Sequence, residues 1–381
     1  MPRAIVLGAG MVGSVMAADL ARDKAFRVTS ADARAGALAL ARERAKGAIE
    51  TVEADLSDPR RVRELVESYD IVLGALSSRI ALGALGAVVD AGKKCVDISF
   101  MAEDPRELHA RALASGACVV TDMGVAPGMS NLLAGVATRR LSPCKSIAIY
   151  VGGLPARPEP PFLYKAAFSP ADVIEEYTRP ARLVEGSKIV VREALSEPEP
   201  VAFNGVGTLE AFNTDGLRTL ADTLTVPDMK EKTLRYPGHI DLMRAFRAAG
   251  LFSKQPVRVN GQDVVPLDVT SALLFPHWTY KPGEADLTVM RVIARGTHDG
   301  THVRLQWDLH DDFDPATGFT SMARTTAFPA SIMARFLASG RFHVPGIHPP
   351  EYLAADDTLV DDLMRELEAR GVRYRYSMTG E

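Results

Sequence analysis

The chain has 381 residues, enough for two or three domains at about 100–200 residues each. Its 47% hydrophobic and 24% charged residues exclude a disordered, collagen-like or low-complexity chain. A net charge of −4, only three cysteines without metal-ligand spacing, and no apolar run of ~18 residues lead us to expect no nucleic-acid partner, no metal and no membrane span.

The chain opens Met1-Pro2-Arg3 and runs directly into the apolar segment 4–7. We therefore expect no apolar leader core and a reduced, cytoplasmic setting. Gly8-Ala9-Gly10-Met11-Val12-Gly13 follows, then a helical pattern with Val12, Val15, Met16 and Leu20 on one face. A strand, a glycine turn and a helix in that order provide the context a dinucleotide needs. Gly8 permits the turn, Gly10 lets backbone approach a diphosphate, and Gly13 lets helix and strand pack. A second strand at 26–29 leads to Asp32, 24 residues after Gly8. A carboxylate there suits the adenosine ribose hydroxyls and repels a 2′-phosphate, which favours NAD over NADP. Arg34, which can accept that phosphate, works the other way.

The alternation continues through strands at 49–54, 70–73, 95–98 and 117–120. Helices are expected at 58–68, 80–91, 103–114 and 129–141. This predicts a six-stranded, doubly wound parallel sheet of the Rossmann type. Ligands of such sheets lie beyond the carboxyl ends of the strands. The cofactor set is therefore Gly8, Gly10, Met11, Val12, Gly13, Asp32, Ala33, Arg34, Asp55, Leu56, Ala75, Leu76, Ser77, Asp97, Ile98, Ser99, Met123 and Gly124. Ser77 has an equal alternative role as a helix cap.

After Pro143 the pattern changes. Strands are expected at 146–151, 188–193 and 200–203, and a Ser-Pro helix at 169–172 onward. The clearest pair is a hairpin, 287–295 with 301–309, turning at Asp299-Gly300. Helices are expected at 240–249, 267–275, 325–339 and 358–370. The second domain thus reads as α+β with a mostly antiparallel sheet. We assign residues 1–125 and a returning helix near 322–345 to the nucleotide domain. Residues 126–321 and 346–381 are assigned to a substrate-binding and dimerisation domain, with the active site between the two.

Several strings carry a resemblance over nearly the whole chain. They are Asp122-Met123-Gly124-Val125-Ala126-Pro127-Gly128-Met129-Ser130-Asn131, Tyr150-Val151-Gly152-Gly153-Leu154-Pro155, Phe168-Ser169-Pro170-Ala171-Asp172-Val173-Ile174-Glu175-Glu176-Tyr177, Glu210-Ala211-Phe212-Asn213-Thr214-Asp215-Gly216 and Thr233-Leu234-Arg235-Tyr236-Pro237-Gly238-His239. They resemble the saccharopine dehydrogenase-like family, and within it the members that oxidise free L-lysine. Saccharopine-handling members typically carry Asp-Pro-Gly and a histidine segment where this chain has Ala126-Pro127-Gly128-Met129-Ser130-Asn131, and several have cysteine at the place of Val151. The resemblance implies NAD-dependent oxidation of the lysine ε-amine and hydrolysis by water to the 6-semialdehyde and ammonia, the semialdehyde then cyclising to 1-piperideine-6-carboxylate. It also implies a homodimer.

Hydride leaves only a neutral amine carbon, so such a site needs a general base, and it needs a cation for the α-carboxylate. Asp122, at the end of the sixth strand, is a candidate to orient the amine or act as base, or else to brace its loop. His239 is a candidate acid/base, or else a helix-capping or surface histidine. Arg235 is a candidate carboxylate clamp, or else a salt-bridge partner. Asn213, Thr214, Asp215, Tyr164, Lys165 and Arg179 are candidates for holding the amino-acid end, with capping or exposed charge as the plain alternative. Two further enzymatic readings stay open: a saccharopine reductase or dehydrogenase, and a carboxynorspermidine-type synthase. A reading of another class is a non-catalytic NAD-binding regulator.

Overall fold

The computed structural model describes residues 1–381 except Asp23 and Pro282. It divides into two units, Met1–Arg140 with Ala323–Tyr374, and Leu141–Met322 with Arg375–Glu381.

The first unit begins β1 (Arg3–Leu7), α1 (Gly13–Ala21), β2 (Arg27–Asp32), α2 (Ala35–Arg44), β3 (Glu50–Glu53), α3 (Pro59–Val66) and β4 (Ile71–Gly74). It continues α4 (Ser78–Asp90), β5 (Lys94–Asp97), α5 (His109–Ser115), β6 (Cys118–Val120) and α6 (Met129–Arg140). Runs such as Ala4–Leu7, at most 1% exposed, are apolar on both faces, as a parallel sheet covered by helices on both sides requires. Local signals set the helix ends. Asp58 accepts the Arg60 N–H at 2.9 Å with Pro59 in the first turn of α3, and Gly116 at φ 75° closes α5.

The second unit comprises β7 (Cys144–Pro155), α7 (Pro170–Thr178), β8 (Ala181–Glu185), β9 (Lys188–Arg192), β10 (Glu199–Phe203), β11 (Gly207–Asn213), α8 (Leu220–Thr223) and β12 (Asp228–Arg235). It goes on with α9 (His239–Ala248), β13 (Val257–Val259), β14 (Gln262–Val264), α10 (Pro266–Trp278), β15 (Asp286–His298) and β16 (Thr301–Asp312). The long hairpin turns as its sequence requires, with Asp299 at φ 47° and Gly300 at φ 79°.

The chain then forms α11 (Ser321–Ser339), β17 (Gly346–His348), α12 (Pro350–Leu353), α13 (Asp357–Ala369) and β18 (Tyr374–Gly380). The first sheet has the order β17-β6-β5-β4-β1-β2-β3 and is parallel throughout. The second has nine strands in the order β10-β11-β12-β7-β15-β16-β18, with β8 and β9 branching from β12. Its registered pairs are antiparallel except β12 with β7. The fold class is the one the sequence predicts. Among the described residues, no helix is long and apolar enough to cross a membrane.

The boundaries differ from the expected ones. The first unit runs to Arg140 rather than 125, because the buried face of α6 belongs to it. Residues 346–374 also belong to it, not to the second unit. The reason is β17, which pairs with β6 as a seventh parallel strand, and α12, whose Glu351 backbone packs against Gly135 of α6. Only β18 returns to the second sheet.

Candidate active site

The glycine loop is tight on one side and open on the other. A β-carbon on Gly8, at φ 97°, would lie 2.3 Å from the Ala75 carbonyl oxygen, and one on Gly13 would lie 2.0 Å from the Gly8 carbonyl oxygen. One on Gly10 would meet nothing within 4 Å. The loop is therefore pinned to the exit of β4, and its free face lies at Gly10, Met11 and Val12. A diphosphate fits there and a side chain at Gly10 would take its room.

Asp32 stands beside this loop at the end of β2. Its carboxylate accepts the Ala9 N–H at 2.9 Å, the Arg34 N–H at 2.9 Å and the Arg34 Nε at 3.1 Å. Burial pushes its pKa up, but the bonds from Arg34 and Ala9 outweigh burial and hold it below the ordinary carboxylate range. Asp32 is thus an anion already braced by Arg34, while Ala33 is exposed. Asp55 and Leu56 do not join this assembly. Asp55 binds the backbone and hydroxyl of Ser57 in a local turn, and Leu56 is in the core.

The neighbouring strand ends converge. The Ile98 N–H binds the Gly74 carbonyl at 3.0 Å, and the Ser99 hydroxyl accepts the Leu76 N–H at 3.1 Å. Asp97 accepts the Ser99 N–H at 2.7 Å, and its other oxygen would meet any β-carbon on Gly74 at 1.7 Å. Its carboxyl is pushed up to about 6, first by burial and further by Asp122, against the bonds from Ser99. Asp122 is 1% exposed and sits at φ 52°, a conformation a non-glycine residue adopts at some cost. The Met123 N–H binds the Asp97 carbonyl at 3.0 Å, and Gly124 packs against Thr326. Ser77 stands at the start of α4 without making a side-chain cap, so its capping alternative is not realised.

The second unit buries two of the candidates, His239 and Arg235. His239 is fully buried, with Nδ1 2.7 Å from the Phe162 carbonyl and Nε2 2.9 Å from the Tyr177 hydroxyl. A carbonyl only accepts, so Nδ1 carries the proton and Nε2 accepts from Tyr177. Burial, then the Arg235 charge, lower the imidazole to about 3. His239 is thus no surface group: it is buried with both ring nitrogens engaged, an arrangement that suits bracing this core. Arg235, 2% exposed, is likewise taken. It pairs with Glu176 at 2.5 Å, donates to Tyr177 at 3.2 Å and stacks over Tyr164, 4.3 Å from the ring centroid. Burying an unpaired guanidinium would cost several kcal/mol, which is why Glu176 lies against it.

The remaining candidates are spread around this core. Thr214 donates to Glu231 at 2.5 Å and lies 2.9 Å from the Thr233 hydroxyl. Asn213 donates to Ser196 and Glu197, and Asp215 accepts from Arg182 at 3.0 Å. Lys165 pairs with Glu284, and Arg179 lies 3.9 Å from Glu175. Tyr164, Arg235 and His239 come together, but Asn213, Asp215, Lys165 and Arg179 sit in separate contacts. Sequence reasoning missed Glu176, Tyr177 and Glu231. Glu231, Thr233 and Arg235 alternate along β12, so the period-two spacing of polar residues was the available signal.

Residues 4–120 match the saccharopine dehydrogenase NADP binding domain, and residues 124–372 the saccharopine dehydrogenase C-terminal domain. The chain is 21% identical over 451 residues to mitochondrial alpha-aminoadipic semialdehyde synthase of Mus musculus, across 99% of this chain and 48% of that protein. It thus spans about half the length of the first such relatives it matches. Saccharopine dehydrogenase (NADP+, L-glutamate-forming) of Schizosaccharomyces pombe is 20% identical, across 96% of this chain and 97% of that one. The fold is also that of apo saccharopine dehydrogenase (L-Glu forming) from Saccharomyces cerevisiae, with a TM-score of 0.81, 18% identity and full coverage of both chains.

Proposed function

Because the chain belongs to the saccharopine dehydrogenase family, we propose that it is a nicotinamide-nucleotide dehydrogenase acting on an amine carbon of a lysine-related amino acid. The finer reading is oxidation of the ε-amine of free L-lysine with NAD to the imine, which water hydrolyses to the 6-semialdehyde and ammonia. The 6-semialdehyde so formed closes on the α-amine to give 1-piperideine-6-carboxylate.

The observation that carries the reading is the set of groups at the strand ends: the open face at Gly10, the anionic Asp32, and the buried carboxylates Asp97 and Asp122. Gly10–Val12 would hold the diphosphate and Asp32 the adenosine ribose. Ala75, Leu76, Ile98, Ser99 and Met123 would line the remainder. When bound, the nucleotide supplies the hydride acceptor. The substrate ammonium, at about 10.4 in water, must first give up its proton. Asp97, whose carboxyl burial raises to about 6, is the group we assign to take that proton, with Asp122 on the neighbouring strand end placed to orient the amine. With His239 and Arg235 committed to the core, neither is part of this assignment.

Two observations support lysine and NAD over the alternatives. The candidate cations of the second unit already have carboxylate partners: Arg235 with Glu176, Lys165 with Glu284 and Arg179 with Glu175; the neighbouring Arg182 and Lys232 are paired with Asp215 and Glu199. Saccharopine brings three carboxylates, lysine one. Asp32 is ionised and Arg34 is engaged with it, which disfavours a 2′-phosphate. The second reading, saccharopine with NADP, is favoured by the printed names of the matched relatives. A homodimer remains part of the proposal.

The test is nucleotide reduction followed at 340 nm. L-Lysine with NAD should turn over, and saccharopine with NAD or NADP should not. Turnover of saccharopine alone would put the second reading in place of the first. Nucleotide binding with no amine oxidised would favour a regulator.

A further inference from the structure

Arg44 ends α2 and is half-buried, and among the described residues it has no ion-pair partner. Its Nη1 donates to the Met11 carbonyl at 3.0 Å and to the Ser14 hydroxyl at 2.6 Å. That hydroxyl donates in turn to the Gly10 carbonyl at 2.7 Å. Two consecutive carbonyls of the glycine loop are therefore drawn toward one guanidinium, one directly and one through Ser14.

The consequence follows from the planar trans peptide, in which N–H points opposite to C=O. Fixing the Gly10 carbonyl turns the Met11 N–H away from Arg44, and fixing the Met11 carbonyl does the same for the Val12 N–H. The Ser14 backbone N–H also binds the Gly10 carbonyl, at 3.1 Å, while Gly10, Met11 and Val12 are partly exposed and a β-carbon at Gly10 would have no protein atom within 4 Å. A cation taken partly out of water without a carboxylate also needs an anion nearby. Burial indeed lowers the Arg44 pKa, opposed only by Glu43.

We infer that Arg44 is a positioning residue of the nucleotide site: it holds the glycine loop with its amides aimed at the cofactor diphosphate, whose charge supplies the anion that the guanidinium lacks. This rests on the reading of Gly8–Gly13 as a dinucleotide loop. It assigns the fixing of that loop to a residue on the second helix, outside the glycine motif and outside the Asp32 turn.

The test is binding, not turnover. NADH fluorescence titration gives the dissociation constant for the wild type, Arg44→Lys and Arg44→Met, with ADP and adenosine as competitors and thermal melts of each free protein. Arg44→Met should weaken NADH and ADP by about 10-fold or more. Adenosine, which has no phosphate, should compete equally well against both proteins. Arg44→Lys should recover most of the loss, and the salt dependence of NADH binding should be shallower in Arg44→Met than in the wild type. If Arg44→Met unfolds, Arg44→Gln against Arg44→Lys reads the same charge difference. An equal loss for ADP and adenosine would reduce Arg44 to a structural prop and overturn the inference, as would unchanged NADH binding. A wild type that binds neither NADH nor NADPH would instead remove the dinucleotide reading itself.

Discussion

Replacing Glu231 by glutamine tests whether the second unit carries a buried neutral carboxylic acid. Glu231 is 3% exposed and accepts from Thr214, and its carboxyl packs against Gly216. Burial first, and the charges of Glu176 and Asp215 after it, raise it from 4.5 to about 8. The unfolded chain has no such shift, so the folded state holds this proton more tightly. The stability it contributes is complete below pH 4.5 and is lost as the pH rises through about 8. At about 1.4 kcal/mol per pH unit, the loss across that window approaches ~5 kcal/mol. Glutamine has no proton to lose. At pH 5, Glu231→Gln should be less stable by about 1 kcal/mol, because its amide faces the Gly216 N–H. By pH 8.5 it should be the more stable protein by several kcal/mol. Urea unfolding of both proteins at pH 5, 6, 7 and 8.5 gives the difference directly. The raised carboxyl of Asp97 is common to both and cancels. A difference that stays flat, or falls as the pH rises, would refute a neutral Glu231.

Gly10→Ala should leave the melting temperature unchanged while weakening NADH binding at least ~10-fold in a fluorescence titration, since its β-carbon enters only the ligand's space. Gly13→Ala, whose β-carbon would lie 2.0 Å from Gly8, should cost about 1–3 kcal/mol by urea unfolding before any ligand is added. Asp19 is 1% exposed and accepts from Arg335, Arg370 and Ser331 at 2.9, 3.0 and 2.6 Å. Asp19→Asn should therefore destabilise the first unit by about 3 kcal/mol, read as a lower urea midpoint. His239→Gln should cost about 2 kcal/mol of stability. It should leave the pH–rate profile between pH 5 and 8 unmoved, because this imidazole is neutral above about 3.

The nucleotide half was legible because its signals are local. A glycine turn between a short apolar strand and a helix, and an acid 24 residues on, are read without knowing any distant contact. The three-residue strand β17 was not legible, since Gly346–His348 becomes a strand only through pairing with β6. β8 is different: its main pairing is local, a hairpin with β9 running from Ala181↔Arg192 to Glu185↔Lys188, and the distant β12 adds only Met229↔Val184. The surroundings of His239 and Arg235 were illegible for another reason. Residue type and a turn-like sequence pointed to chemistry, but burial and the partners Tyr177 and Glu176 decide it, and those partners lie 58–62 positions away. Arg44 was invisible for the same reason, being 33 positions from the carbonyl it holds.

The interleaving of the two units bears on how the chain is made. The second unit interrupts the first between Arg140 and Ala323, and the strands that cover β6 and flank β16 come from residues 346–348 and 374–380. As the chain emerges from the ribosome, the parallel sheet keeps β6 as an open edge through the synthesis of the whole inserted unit. An open strand edge is a template for pairing with another chain. Synthesis that stalls after α11 would leave β6 and β16 each with one open edge at once, so the last segment acts as a late lock on two sheets.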